Sequence, residues 1–260
     1  MQTMNKVSTI KLFKKLLFYL LLIGIWEVLF RLKLWPDYSF PSPLGVSENI
    51  ISGLGDSFYF IAIAVSLKRV IIGYLISLFC GFTSGLAIIR VRFLDEAVSP
   101  LMLGFQTLPS ICWLPLAILW FGIGEDSIIF VVAIGSIFSI SMAVISGIKN
   151  VPPIYLRAAK TMGAKGVKVY TTVVLPAALP AIVTGMKQGW SFAWRALMAG
   201  ELLSPKDGLG YALTIGRDLA DMNQVVAVMI LIIIIGLVID KFVFGRIENS
   251  IRCRWGLDQA

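Results

Sequence analysis

Several runs of this sequence are apolar for long enough to cross a lipid bilayer, and that limits what the chain can fold into more than any other feature. A helix needs about 20 consecutive apolar residues to span a bilayer core, and the stretches 70–89, 127–148 and 224–244 supply them. At 58% apolar residues and mean hydropathy +0.86, the alternatives are one polytopic membrane domain or an unusually apolar soluble one, and the run lengths select the first. The predicted fold class is therefore all-α, a polytopic membrane helix bundle.

Charge and rare residues exclude several functions. The net charge of +8 has its explanation in loops beside a membrane, so no nucleic-acid partner is expected. Cys80, Cys112 and Cys253 are widely spaced and read as packing residues; no metal site and no disulfide framework is indicated. Histidine is absent, which removes the commonest general base and metal ligand. No catalytic residue is expected.

Taken in order, the chain predicts about six spans. Residues 1–14 form a tail. Lys6, Lys11, Lys14 and Lys15 precede or begin an apolar run resembling a signal peptide, but no small-residue cleavage site follows; Trp26, Glu27 and Arg31 do, so 15–34 reads as a retained first span. Residues 34–65 carry Pro36, Pro41 and Pro43 and then FYFIAIAV, too short to cross alone. They predict an outer loop and a helix lying at the interface. The second span, 70–89, has Gly81 and Gly85 at a spacing that lets a neighbouring helix come close. The third run, 98–121, holds Pro100, Pro109 and Pro115 and predicts a broken helix. Broken helix at membrane depth is tolerated where protein or a watery cavity covers it, which makes Gln106, Thr107 and Ser110 candidates to line a path. In the fourth span, 127–148, Ser136, Ser139, Ser141 and Ser146 are expected mostly to bond to their own preceding turn. The fifth, 177–202, contains Pro180 and repeats the close-packing spacing at Gly185 and Gly189. An acidic outer loop, 201–221, leads to the sixth, 224–244, and a tail from 248 to 260 follows.

Of the 23 basic residues, 15 fall on one side of this arrangement and 6 on the other, while Lys187 and Arg195 lie within the fifth span. The positive-inside rule then places both termini and the loop 149–176 in the cytoplasm. A charge at the bilayer centre costs about 2.5 to 3.5 kcal/mol even on the lenient insertion scale, so Lys187 and Arg195 are expected to face the bundle interior, on a side shared with Ser191. Glu27 is the available partner for one of them. Either the pair is structural, or one cation stays unpaired and draws an anionic substrate through the pathway.

The stretch 156–186 joins these parts. It is a polar, basic segment of about one short helix, then Gly163, then Leu175-Pro176 opening an apolar run. From Ala158-Ala159, three residues lead to Gly163, nine more to Val173 and one further to Leu175-Pro176. This resembles the cytoplasmic signature of binding-protein-dependent ABC importer permeases, with Arg157 standing where that family usually has glutamate. Trp26-Glu27 with Phe40-Pro41-Ser42-Pro43, TLPSICWLPLAILWFGIG, AWRALMAGELL and RCRWGL resemble the branch serving nitrate, sulfonate and taurine importers. The resemblance implies a permease domain over 15–247, with a cytoplasmic coupling loop between the fourth and fifth spans. It also implies an inner-membrane location and a permease homodimer in the lipid, with an extracytoplasmic substrate-binding protein and an ATPase subunit as partners. Arg157, Ala158, Ala159, Gly163, Leu175 and Pro176 would then form the ATPase-coupling element. No G-x-x-x-x-G-K-[ST] occurs, so ATP would be bound by the partner subunit and this chain needs no cofactor of its own. The competing reading is a secondary transporter driven by an ion gradient. It would want an internal repeat and mid-membrane acidic residues, for which only Glu27 and Asp240 are available.

Overall fold

The computed structural model describes residues 2–36, 39–203 and 207–255, and every regular element among them is helical. They divide into two compact units, Met1–Ile61 with Ala212–Ile232, and Ala62–Tyr211 with Ile233–Ala260.

The first unit holds α1 (Gln2–Arg31), α2 (Pro43–Gly55) and the first turn of α3 (Phe58–Arg90). Ser42 starts α2: its Oγ accepts from the Gly45 N–H at 2.9 Å, and Pro43 takes the first helical position, where no donor is needed. The Trp26 indole N–H donates to the Pro41 carbonyl at 2.9 Å, tying α1 to the turn before α2. The expected interface helix is not formed by FYFIAIAV. Those residues continue into the second span as one 33-residue helix, about 50 Å long at ~1.5 Å per residue, and α2 is the separate helix of that region.

The second unit is built around α6 (Glu125–Lys149). Twelve of its 25 residues are buried, among them Val131, Val132, Ile140 and Val144. Two helices lie against it at glycines. On α3, a Cβ at Gly73, Gly81 or Gly85 would come within 2.6 to 2.9 Å of Val132, Ile140 or Val144 side chains, so α3 runs parallel to α6. On α9 (Leu175–Leu202), a Cβ at Gly185 would lie 1.9 Å from that of Ala143, and one at Gly189 2.8 Å from Ile140, so α9 runs antiparallel. Both glycine pairs thus serve close packing, as expected. Two of the α6 serines act differently from expectation. Ser136 Oγ donates to Ser77 Oγ at 2.7 Å as well as to its own turn, and Ser141 Oγ donates to the Gly81 carbonyl at 3.0 Å. They link α6 to α3, because the glycine contacts bring the α3 backbone within reach.

Between α3 and α6 the chain breaks as the prolines predict, at one of the three. Helix α4 (Arg92–Thr107) and the segment Ser110–Phe121, a 3₁₀ turn followed by α5 (Leu114–Phe121), are bent by 101°. The break falls before Pro109, where Leu108 is extended, as a residue preceding proline prefers. Pro100 stays inside α4, and Pro115 occupies the first turn of α5. The ends of the bent pair lie at opposite ends of α6. Lys149 Nζ is 2.6 Å from Asp95 near the start of α4, whereas α5 ends four residues before Glu125, whose carboxylate is 3.0 Å from Lys68 Nζ. The pair therefore traverses the bundle and does not return to the side it left.

After α6 come α7 (Pro153–Thr161), α8 (Val167–Val169), a π turn over Tyr170–Val174 and α9. The fifth span is thus helical from Val167, inside the expected coupling loop. Helix α10 (Leu209–Asp218) occupies the expected outer loop, and α11 (Met222–Ile239), a π turn at Asp240–Phe244 and α12 (Gly245–Arg254) carry the last span beyond residue 244. Among the described residues four stretches are long and apolar enough to cross a membrane, and the bent pair makes five. The first expected span is helical, but every 18-residue window of α1 holds at least three charged residues, so it does not join them. The cysteines are free thiols; Cys112 and Cys253 are exposed in the single chain, which does not fit the packing role expected of them.

Candidate functional site: a coupling helix and a cavity beside the broken span

Helix α7 is short because its ends are set by backbone chemistry. Pro152 and Pro153 start it, and Gly163 stops it with φ +84°, a left-handed conformation that a residue without Cβ adopts most cheaply. The Gly163 N–H donates to the Lys160 carbonyl and the Ala164 N–H to the Ala159 carbonyl, each at 3.0 Å, closing the last turn. One face of α7 is fixed to the bundle: Ala159 packs in a cluster with Val144, Val151, Val174, Ala178 and Ile182. The other face is free. Arg157 and Ala158 are exposed there, beside Ile154, Tyr155 and a Met162 that is 87% exposed. Apolar side chains are thus held outward on this short helix.

The connection from α7 to α9 passes through the π turn. The Leu175 N–H reaches back to the Tyr170 carbonyl, five residues away. Pro176, which has no N–H to give, follows directly, and the wider turn removes the clash its ring would make in regular helix. Val169 and Val174 are buried in the same cluster as Ala159, so α7 and the start of the helix that becomes α9 pack on one core.

The second feature is a cavity of about 330 Å³ at the break between α4 and α5. Gln106, Thr107 and Ser110 line it, and so does Arg195 of α9. Phe105, Trp113, Phe138 and Phe192 supply aromatic walls. The Arg195 guanidinium is held by the Ser191 carbonyl, to which Nε donates at 3.1 Å, and by the Phe192 ring, 4.7 Å away. Among the described residues no carboxylate lies within ion-pair distance of it.

The remaining candidates are not brought to this cavity. Ser191 gives its hydroxyl to the Lys187 carbonyl at 3.3 Å. Lys187 turns to the last helix, with Nζ 3.2 Å from Asp240 and 3.8 Å from Glu248. Glu27 is instead 2.6 Å from Arg31, one turn along its own helix. Each of Glu27 and Lys187 thus has an ion partner within its own unit. Asp240 was visible in the sequence, but its register against Lys187 depends on the π turn that begins there.

Sequence reasoning missed a buried polar cluster at the other end of α3. Glu201, expected in an outer loop, is wholly buried in the last turn of α9, and Arg69 is 1% exposed. The Glu201 carboxylate accepts from Arg69 Nη1 at 2.9 Å, from Ser66 Oγ at 2.8 and 2.9 Å, and from the Gly210 N–H at 3.0 Å. Ser66 Oγ in turn accepts from the Leu209 N–H at 2.9 Å, and Arg69 Nη1 also donates to the Asp207 carbonyl. A Cβ at Gly208 would sit 2.6 Å from the Glu201 carboxyl, so only glycine lets the chain close over it. The sequence signal was an acid at the end of the apolar AWRALMAGELL segment.

Residues 73–252 match the family described as the binding-protein-dependent transport system inner membrane component. A candidate ABC transporter permease of Methanocaldococcus jannaschii is 39% identical over 178 residues, 68% of this chain and 67% of that protein. The taurine transport system permease of Escherichia coli is 28% identical over 84% of this chain and 82% of its own length. Among solved structures, an inward-facing conformation of the MetNI methionine ABC transporter superposes with a TM-score of 0.65 at 20% identity, covering 75% of this chain and 96% of that one.

Proposed function

The chain belongs to the family of binding-protein-dependent transport system inner membrane components, and from its likeness to a taurine permease we propose that it carries a small solute bearing a sulfonate group, as taurine does, inward across the cytoplasmic membrane. It is a permease subunit of an ABC importer, a transport component and not an enzyme. Its family implies an ATPase and a substrate-binding protein as partners. In the proposed assembly two copies of the chain flank one pathway, both termini are cytoplasmic, and the partner ATPase binds the ATP. The exposed face of α7 docks on that ATPase, and Gly163 and the π turn pass its motion to α9.

The observation that carries the substrate reading is Arg195. It stands at the wall of the cavity beside the broken span with hydroxyl and amide groups near it and, among the described residues, no carboxylate within ion-pair distance. A cation in that position attracts an anion, aromatic walls accept the organic part, and the absence of a tight counter-ion lets the solute leave. Gln106, Thr107 and Ser110 supply the hydrogen bonds that replace lost water.

The test is ATP-driven taurine uptake by the complete transporter in vesicles. Arg195→Gln should lower uptake at least tenfold with assembly and ATPase binding unchanged, and Arg195→Lys should keep a substantial part of it. Undiminished uptake by Arg195→Gln removes the anion-attracting role.

A further inference from the structure

A second cavity, of about 430 Å³, opens where the ends of α3 and α6 meet the beginning of the helix that becomes α9. Its floor is apolar: Leu86 and Ile89 of α3, Ile148 of α6 and Leu175 of α9. Leu86 and Ile148 also pack on the cluster that holds α7, so this wall is part of the rigid core. One side is exposed, with Val167 67% and Tyr170 56% accessible. Arg90, the last residue of α3, stands at the rim and is exposed. Among the described residues no carboxylate is within ion-pair distance of Arg90. By contrast Arg92, two residues on, is engaged by Glu96 at 2.8 Å.

We propose that this groove binds an anionic phospholipid of the cytoplasmic leaflet, with an acyl chain on Leu86, Ile89, Ile148 and Leu175 and the headgroup phosphate at Arg90. The location requires the cavity to sit at headgroup level. Arg90 ends one apolar helix, Ile148 is one residue from the end of another, and Gly166 lies just before the third begins. An apolar groove at that level is filled from the bilayer more readily than by water. The cytoplasmic leaflet carries the anionic lipids that basic pockets between spanning helices recognise. Lys165 and Lys168 flank Gly166 and Val167 in the chain and add to the positive field at the rim. A tyrosine at the mouth, with an apolar ring and a polar tip, suits the same boundary.

A lipid seated here would touch Tyr170 and Thr171, the first two residues of the π turn. Its presence would brace the joint that connects the coupling helix to α9. The site rests on the cytoplasmic orientation proposed above, which a reporter fused after Gly163 tests separately.

The experiment uses the complete transporter, assembled with its ATPase and placed in vesicles of phosphatidylcholine with phosphatidylglycerol. Native mass spectrometry counts the phosphatidylglycerol retained after delipidation. The parent protein should retain it, Arg90→Gln should retain at least fivefold less, and Arg92→Gln should retain as much as the parent. Ile89→Trp, which fills the floor without changing charge, should also lose it. Replacing phosphatidylglycerol by phosphatidylcholine should lower ATP-driven uptake by the parent and leave Arg90→Gln unaffected. Equal retention by Arg90→Gln and parent overturns the proposal, as does an equal loss in Arg92→Gln, which would indicate bulk charge alone. Retention by the free permease that vanishes on ATPase binding overturns it too, because the groove would then be an ATPase contact.

Discussion

At the scale of single residues, the Arg69–Glu201 cluster shows how a buried charge is kept. Each ion would cost several kcal/mol to bury alone. Glu201 is surrounded by donors from Ser66, Arg69 and Gly210, and within this cluster Arg69 Nε has no partner among the described residues. Glu201→Ala should therefore destabilise by about 3 to 5 kcal/mol, because it removes the buried carboxylate nearest the Arg69 guanidinium and leaves only Glu125, at 3.5 Å, as its ion partner, and thermal unfolding in detergent should show the loss. The double change Arg69→Met with Glu201→Leu should recover more than half of it; a double variant as unstable as the sum of the singles would mean the two residues act independently. Gly163 is the opposite case, a residue chosen for its backbone. A valine there has open space around it but must hold φ near +84°, at a cost of about 1 to 2 kcal/mol. Gly163→Val should insert normally yet lower ATP-driven uptake and ATPase binding, and full retention of both would remove α7 from the coupling account. Arg157 is exposed on the outward side of α7, so changing it should leave the fold of the helix alone.

At the scale of elements, small residues decide how closely helices approach α6. Gly185 and Ala143 meet so tightly that an added Cβ would overlap the alanine methyl at 1.9 Å, while the Ala143 Cα would be 3.3 Å away. Gly185→Ala should accordingly push α9 from α6 and reduce folded yield, and Ala143→Gly in the same chain should restore it. Failure of that rescue would show that the contact is looser than the structure has it. The bent α4–α5 pair is the other informative element. Its 101° turn exposes polar backbone and side chains at membrane depth, a cost tolerated where they line a cavity, and the cavity lined by Gln106, Thr107 and Ser110 is there.

For the whole molecule, the ion pairs at the two ends of α6 fix which loops share a side. Asp95 goes with Lys149, and Lys68 goes with Glu125. Reporter fusions after Asp95 and Gly163 should therefore agree with each other, and one after Asp126 should give the opposite signal. A matching signal at Asp95 and Asp126 would make the bent pair a re-entrant loop and break the proposed pathway. The positive-inside count predicts a cytoplasmic signal at Gly163, and the same fusions test it.

What the sequence determined by itself is whatever depends on local periodicity and backbone chemistry. Run length and hydropathy gave the membrane helices, the prolines marked 98–121 as a broken helix, and Gly163 marked the end of a short helix, because chain-local rules govern each of these. Tertiary structure decided the partners of charges. Lys187 joins Asp240 instead of Glu27, and Arg69 joins Glu201 across 132 residues of sequence. Glu201 looked like a loop acid, and FYFIAIAV looked like a separate short helix. Their true settings follow from which helices pack on α6 and in what register. That register is fixed by glycine contacts and π turns between elements far apart in the chain, and no local pattern encodes it.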